Sequence, residues 1–324
     1  MRVLFIGGTW VISSACSALA LEQGINLTLI NRGYSDQRPG LAGARVLTAD
    51  VRDAAAVAEA LRGDTFDVVV DWIAFTADHA AADLAMFRGR VGQYVFISSA
   101  AAYRKPPPRL PITEDTPLDN PYWPYARHKI AAEALLTAAA RDEAFPLTIV
   151  RPSHTYDATL PPFRGRFTIL DRLRRGKPLV VHGDGTSLWT LTHHRDFARG
   201  FLPLLGEGRA IAQAFHITSD EVLTWNEIAA LLGEATGVAP VVSHVPPDTV
   251  ARYDADWGAS LLGDKAHDAV FDNSKIRAIV PGFAAEIPFA TGAGQIFTWY
   301  DAHPTAQIVD PEFDALLDRL AANA

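Results

Sequence analysis

The sequence predicts an α/β fold, a doubly wound parallel sheet with a smaller, interwoven C-terminal part. Three observations carry that expectation. Short apolar runs without polar alternation, such as residues 3–6, alternate with alanine-rich helical stretches, as in strands buried on both faces and joined by crossover helices. The first run breaks at Gly7-Gly8, directly before a helix, where unpaired N–H groups and the helix dipole favour a phosphate. Polar residues that end the later runs fall where open α/β sheets bind ligands, beyond the carboxyl ends of the strands.

The first unit is strand 3–6, helix 11–22 with Gly24 as its stop, and strand 27–30. Its turn departs from the dinucleotide fingerprint. In the G-x-x-G-x-x-G spacing Gly7 is first, Trp10 takes the second position and Ser13 the third. Serine is small enough for close helix packing, but the second glycine normally lets the backbone approach a pyrophosphate. The second strand ends in Asn31-Arg32-Gly33. An acid there would bind a ribose 2′-hydroxyl and an arginine a 2′-phosphate, so Arg32 favours NADP. Strand 45–49 ends at Asp50-Val51, where Asp50 either reaches an adenine or caps the helix around 54–61. Strand 66–70, helix 77–87 and strand 94–97 follow, the last running into Ser98-Ser99.

Composition narrows the function classes. The 324 residues carry 37 Asp plus Glu against 29 Lys plus Arg, a net charge of −8, and this argues against a nucleic-acid binder with its basic stripe. The basic cluster Arg172, Arg174, Arg175 and Lys177 is expected to be a solvated helix end. The single cysteine, Cys16, excludes an internal disulfide and a cysteine-rich zinc site; it is expected in the core. His193 and His194 lack a carboxylate cluster at ligand spacing, so no metal is expected. No run of about 18 apolar residues suits a membrane span. The Gly7-Gly8-Thr9 interruption argues against a secretory signal, and a cytoplasmic protein is expected.

A proline-rich loop, 104–124, leads into a helix expected over 125–141. Tyr125 and Lys129 stand one turn apart on one face of it. An ammonium near a phenol lowers its pKa from about 10 and makes it usable as an acid or base near neutrality. Ser98-Ser99, at the end of the preceding strand, strengthens that pairing.

The motifs GGTWVIS, Asp50-Val51, YVFISSAAAY, ITEDTPLDNPYWPYARHK, IVRPSHTY and HGDGTSLWTLTHHRDFARGF cover most of the chain in this order. Together they resemble the extended short-chain dehydrogenase/reductases, the NAD-dependent epimerase/dehydratase group. The NRG and FDNSK segments further resemble its atypical branch that includes chloroplast stem-loop RNA-binding proteins, which often carries a bulky residue at the second glycine. The resemblance implies a Rossmann-type domain of residues 1–156, rejoined by 193–217, and a substrate-binding domain of 157–192 and 218–324. It implies that Tyr125 is the general acid/base, that Lys129 lowers its pKa and holds the nicotinamide ribose, and that Ser99, registered on Tyr103, bonds the reacting oxygen. Gly7, Thr9, Trp10 and Ile12 would surround the pyrophosphate. Asp50, Val51 and Ala74 would line the adenosine side, with Pro152 and Ser153 near the nicotinamide. Gly8, Asn31, Arg32 and Ser98 complete the implied cofactor set. A homodimer on the two long helices flanking the site is implied as well.

In the second half, helix 167–175, strand 179–181, helix 194–205, a last sheet strand 214–217 and helices 225–232 and 311–321 are expected. Trp189 stands where many sugar-nucleotide enzymes of the family place an arginine on a diphosphate. An indole cannot replace that charge, so a nucleoside, glycoside or other polyol is favoured over a UDP- or GDP-sugar. Trp189 either stacks on the substrate or packs in the core. Ser99, His154, Arg164, Trp189 and Lys265 are the candidate substrate contacts. The expected function is oxidation of a secondary alcohol on a sugar-containing substrate (nucleoside, glycoside or sugar nucleotide) with NAD or NADP. The resulting ketone ends in epimerisation, which would suit NAD, or is released by a simple NADP-dependent dehydrogenase/reductase. The alternative from another class is an RNA-binding or scaffold role on the same fold.

Overall fold

The structure, a computed structural model, describes residues 1–33 and 41–324. Strands and helices alternate through the first half: β1 (Arg2–Ile6), α1 (Val11–Glu22), β2 (Asn26–Asn31), β3 (Arg45–Thr48), α2 (Ala54–Ala60), β4 (Phe66–Asp71), α3 (Ala77–Phe87), β5 (Val91–Ile97), α4 (Pro124–Glu143) and β6 (Leu147–Pro152). The second half adds β7 (His154–Tyr156), α5 (Phe167–Arg174), β8 (Leu179–His182), β9 (Leu188–Trp189), β10 (Leu191–His193), α6 (His194–Phe201) and β11 (Gln213–Ile217). Beyond these come β12 (Leu223–Thr224), α7 (Trp225–Thr236), β13 (Val242–Val245), α8 (Pro247–Tyr253), α9 (Ala255–Ser260), α10 (Ser274–Ile279), α11 (Phe289–Ala302) and α12 (Pro311–Ala321).

Seven parallel strands form one sheet in the order β11-β6-β5-β4-β1-β2-β3. Val3, Leu4 and Phe5 of β1 and Val68, Val69 and Val70 of β4 are fully buried. Their unbroken apolar runs follow from helices covering both faces. α1 and α6 pack together on one face, and α3 against α4 on the other. The chain leaves β1 toward β2 and β3, then returns to β4 on the other side of β1. That reversal opens a crevice above the carboxyl ends of β1 and β4, the place where such sheets bind ligands.

β11 joins the sheet by pairing with β6, so residues 153–212 form an excursion that returns to the sheet it left. A separate core links Phe167, Leu170, Trp225, Ile228, Phe297 and Leu317. It includes the parallel pair β8–β13 and the packed helices α7 and α11.

The expected helices 11–22, 77–87 and 311–321 are observed with the same bounds. α11 lies where the sequence suggested only loops, because Gly292 and Gly294 weaken its helical signal. The first of these is a packing requirement: a Cβ on Gly292 would run into the Tyr156 ring and hydroxyl. Asp53, not Asp50, caps α2, accepting from the N–H groups of Ala55 and Ala56. The basic cluster is not a solvated helix end. Arg172 is fully buried and donates to the Pro178 carbonyl at 2.9 Å, to Asp314 at 2.5 Å and to Asp318 at 2.8 Å. Lys177 joins the same two carboxylates, so α5 and α12 are held together by a charged network.

Removing the buried member of such a network leaves carboxylates and a carbonyl under-paired. Arg172→Met is expected to lower unfolding stability by about 3 kcal/mol, against less than about 1 kcal/mol for Lys177→Met at the exposed rim. Urea unfolding of both variants checks the contrast; equal losses would refute it.

Candidate active site

The crevice above β1 and β4 is a cavity of about 810 Å³. Gly7 and Gly8 form its phosphate-facing turn with φ of +97° and +100°, a region that favours glycine. Packing reinforces the choice, since a Cβ on Gly8 would lie 2.8 Å from Leu29 and 3.2 Å from the Ser17 hydroxyl. Ser17 donates to the Gly8 carbonyl at 2.9 Å, and Ser13 accepts from the Trp10 N–H at 2.9 Å. Trp10 caps α1 with extended backbone, φ −100° and ψ −175°. No glycine is required there. Its ring is half exposed, with the Arg166 guanidinium 5.6 Å above it.

Thr9, Ile12, Asn31, Arg32, Asp50 and Val51 also line the cavity, as do Ser98, Ser99, Tyr125, Lys129, Pro152 and Ser153. Asn31 uses its Oδ1 to accept the Gly33 N–H at 2.8 Å, an Asx turn that shapes the end of β2. Ala74 is an exception among the expected residues. It is fully buried and is not part of the cavity wall; its backbone works behind it. Trp72, Ile73, Phe75, Arg52 and His79 line this side instead; Trp72 and Ile73 follow the fourth strand directly, where the sequence places ligands, whereas nothing in the sequence marked the other three.

That backbone role starts at Asp71, the last residue of β4, fully buried. Its Oδ1 accepts the N–H groups of Ile73 and Ala74 at 2.6 and 2.7 Å. The turn so fixed presents the Ala74 carbonyl to Lys129, whose ammonium donates to it at 2.6 Å and to the Ile97 carbonyl at 2.8 Å. Arg52 grips the same turn through the Ile73 carbonyl. Burial pulls Lys129 down to about 8, with Asp71 and Glu133 opposing the shift.

Tyr125 and Ser99 line the cavity together, and the Ser99 hydroxyl is close enough to act on the phenol's proton affinity. Burial raises the phenol above its ordinary value and Asp264 adds to the rise, while the Ser99 hydroxyl opposes it. The expected lowering by Lys129 does not govern Tyr125, because the ammonium is directed at two backbone carbonyls. Ser98, also buried, has a hydroxyl with no hydrogen-bond partner among the described residues. An orphaned donor and acceptor in the wall of a glycine-floored cavity suits a polar ligand such as a dinucleotide.

The expected substrate residues divide. His154, Arg164 and Lys265 line a second cavity of about 210 Å³ together with Phe163, His182, Trp225 and Trp257. Ser99 lines the large one. Trp189 lines neither: it is 2% exposed, donates to His154 Nδ1 at 3.0 Å and packs on Trp225. Core packing is therefore the alternative realised at this position.

Comparisons with known proteins bear on the family and the fold. The NAD dependent epimerase/dehydratase family matches residues 3–217. The chain is 29% identical over 262 residues to the chloroplast stem-loop binding protein of 41 kDa b of Arabidopsis thaliana, covering 76% of this chain and 66% of that protein's length. It is 26% identical to the 2′-dehydrokanamycin reductase of Streptomyces kanamyceticus, over 87% of this chain and 80% of the reductase. The fold matches that of the UDP-glucose 4-epimerase of Thermus thermophilus, solved with NAD, with a TM-score of 0.74 at 20% identity, covering 94% of this chain and 100% of the epimerase.

Lys129 generates a pH-linked stability prediction. Its folded pKa, about 8, lies below the ordinary 10.5, so between these values the unfolded chain binds more protons and stability rises with pH. Below about 8 the full cost of the buried charge is present. The stability of wild type relative to Lys129→Met is expected to be constant below pH 8 and to improve by about 3 kcal/mol toward pH 10.5. Urea unfolding of both proteins across that window checks it; a constant difference would refute it.

Proposed function

The chain belongs to the NAD dependent epimerase/dehydratase family, and from that premise we propose that it oxidises a secondary alcohol of a sugar-containing substrate through a keto intermediate, with Ser99, Tyr125 and Lys129 at the reacting centre. The observation that carries this reading is that Ser99 and Tyr125 line the glycine-turn cavity together with the clamped Lys129 ammonium. In this reading residues 1–156 with 193–217 hold the dinucleotide, and 157–192 with 218–324 receive the substrate.

A dinucleotide bound there would supply the two-electron acceptor for the alcohol carbon. Gly7, Gly8, Thr9, Trp10 and Ile12 would hold its pyrophosphate through the turn and the N-terminus of α1. Asn31, Arg32, Asp50 and Val51 would take the adenosine end, Arg32 favouring a 2′-phosphate. Ser98, Pro152 and Ser153 would face the nicotinamide end, and Lys129 its ribose.

Tyr125 takes the proton of the substrate hydroxyl, and Ser99 orients the reacting oxygen through its own hydrogen bond. Burial alone would keep the phenol protonated. Polar groups brought by the substrate and the dinucleotide must stabilise the phenolate at the moment of transfer. When the hydride comes back to the opposite face of the carbonyl carbon and Tyr125 returns the proton to its oxygen, the outcome is epimerisation. When the carbonyl compound leaves first, the outcome is dehydrogenation.

The name of the plant relative favours a second reading, RNA binding. The excess of 37 acidic over 29 basic residues weighs against it.

Tyr125→Phe separates the two. Turnover of secondary-alcohol sugars is expected to fall by about 10²–10⁴-fold, with dinucleotide affinity nearly unchanged. Nucleotide released on denaturing the purified protein, followed by turnover of a panel of hexoses and glycosides, provides the measurement. Failure to bind either NAD or NADP, or full turnover in Tyr125→Phe, would sink the enzymatic reading; binding of stem-loop RNA independent of Tyr125 would favour the other.

A further inference from the structure

The smaller cavity carries an unbalanced cation. Lys265 ends a π-helical turn, Leu261–Lys265, a rare backbone form frequent at functional sites. Its carbonyl is pinned by the His182 Nε2–H at 2.8 Å and the Ser187 hydroxyl at 3.0 Å. Among the described residues the ammonium has a single carboxylate near it, Asp264 at 3.9 Å, beyond hydrogen-bond reach. That carboxylate is already engaged by the buried Lys105 at 3.0 Å. Two ammonium groups therefore share one carboxylate, and no acidic side chain lines the cavity among the described residues. Arg164 is not the unbalanced charge, since it pairs with Asp254 at 3.1 Å and Asp256 at 3.4 Å.

The neighbouring walls supply donors. Trp225 is 2% exposed and its indole N–H has no hydrogen-bond partner among the described residues. A buried donor left unpaired costs free energy unless a ligand satisfies it. His154 accepts from Trp189 through Nδ1, so the neutral ring carries its proton on Nε2. Burial and the adjacent Lys265 keep that ring neutral, with its pKa down near 3.

Geometry joins this cavity to the reacting centre. Adjacent residues line the two cavities, His154 beside Thr155 and Pro161 beside Leu160. The Lys265 ammonium lies 5.5 Å from the Trp123 ring, whose centroid is 4.8 Å from that of Tyr125. One indole thus separates the ammonium from the phenol. A volume of about 210 Å³ lies below the roughly 300 Å³ at which pockets for drug-sized ligands begin. It suits one monosaccharide unit or less and excludes a nucleoside diphosphate.

We propose that this cavity receives the part of the substrate remote from the reacting carbon, and that this part is a sugar unit bearing one compact anion, a carboxylate or a phosphate, bound by Lys265 with the Trp225 and His154 N–H groups. The proposal rests on the reading of the larger cavity given above. It makes Lys265 the determinant of substrate charge, while Tyr125 acts on whichever hydroxyl the anion's position brings to it.

Calorimetric binding of D-glucuronate, glucose 6-phosphate and D-glucose to the protein tests it, with dinucleotide binding measured in parallel. One of the two anionic sugars is expected to bind wild type at least about tenfold more tightly than glucose, and which of them does so identifies the anion. Lys265→Met should abolish the preference and Trp225→Phe should reduce it, each with dinucleotide affinity unchanged. Equal affinity for all three sugars, no saturable binding of any of them, or a preference that survives Lys265→Met would overturn the proposal. A protein that shows the anion preference but binds no dinucleotide would instead overturn the reading of the larger cavity, so the two failures are distinct.

Discussion

The buried ammonium of Lys129 is the interaction on which the arrangement of the site depends. It is 1% exposed and bonds the carbonyls of Ala74 and Ile97, so it ties α4 to the ends of β4 and β5 at once. One turn further along the helix, Glu133 pairs with Arg151 of β6 at 2.7 Å, both nearly buried. One turn before it stands Tyr125. Residues 125, 129 and 133 thus form a single stripe on α4, fixed to three adjacent strands by its last two members. The position of the first relative to Ser99 follows from those attachments.

Asp71 shows how far this dependence extends. It touches neither Lys129 nor Tyr125 by any hydrogen bond described above, yet its carboxylate shapes the turn that offers Lys129 its acceptor. Burial and Asp71 push the carboxyl of nearby Asp83 well above its ordinary value, and it accepts from the Tyr94 hydroxyl at 2.7 Å. Asp71 also favours the charged form of Lys129, against the effect of burial. A carboxylate so placed offsets part of the cost of burying an ammonium without forming a contact ion pair with it.

Most of the sheet was legible in the sequence because strands buried on both faces leave unbroken apolar runs, as in 3–6 and 66–70. The glycine turn and the Tyr125–Lys129 pair were legible because their chemistry demands particular residues at particular spacings. Trp72 and Ile73 were legible only as the end of the fourth strand, and Phe75 escaped because it lines the cavity through the path of one turn, which Asp71 dictates and no periodicity encodes. Ala74 was expected in the wall from the family resemblance and proved to act from behind it. α11 escaped because Gly292 makes room for Tyr156, a contact between segments far apart in the chain. The charged tie between Arg172 and Asp314 is likewise visible only once α5 and α12 meet. Nothing in the sequence marked Trp225 or His182 as site residues; the fold alone decides that they line the smaller cavity and that Trp189 packs behind them.

The return of β11 to β6 also bears on how the chain must be made. All six residues of β6 are buried in the finished fold, one edge of the strand against β5 and the other against β11. On the ribosome the first six sheet strands emerge well before residues 213–217, which cover that outer edge. For this interval the nascent protein presents an apolar, unpaired strand capable of pairing with another chain. The long excursion that builds the smaller cavity therefore prolongs the stage at which the growing protein is most prone to associate wrongly.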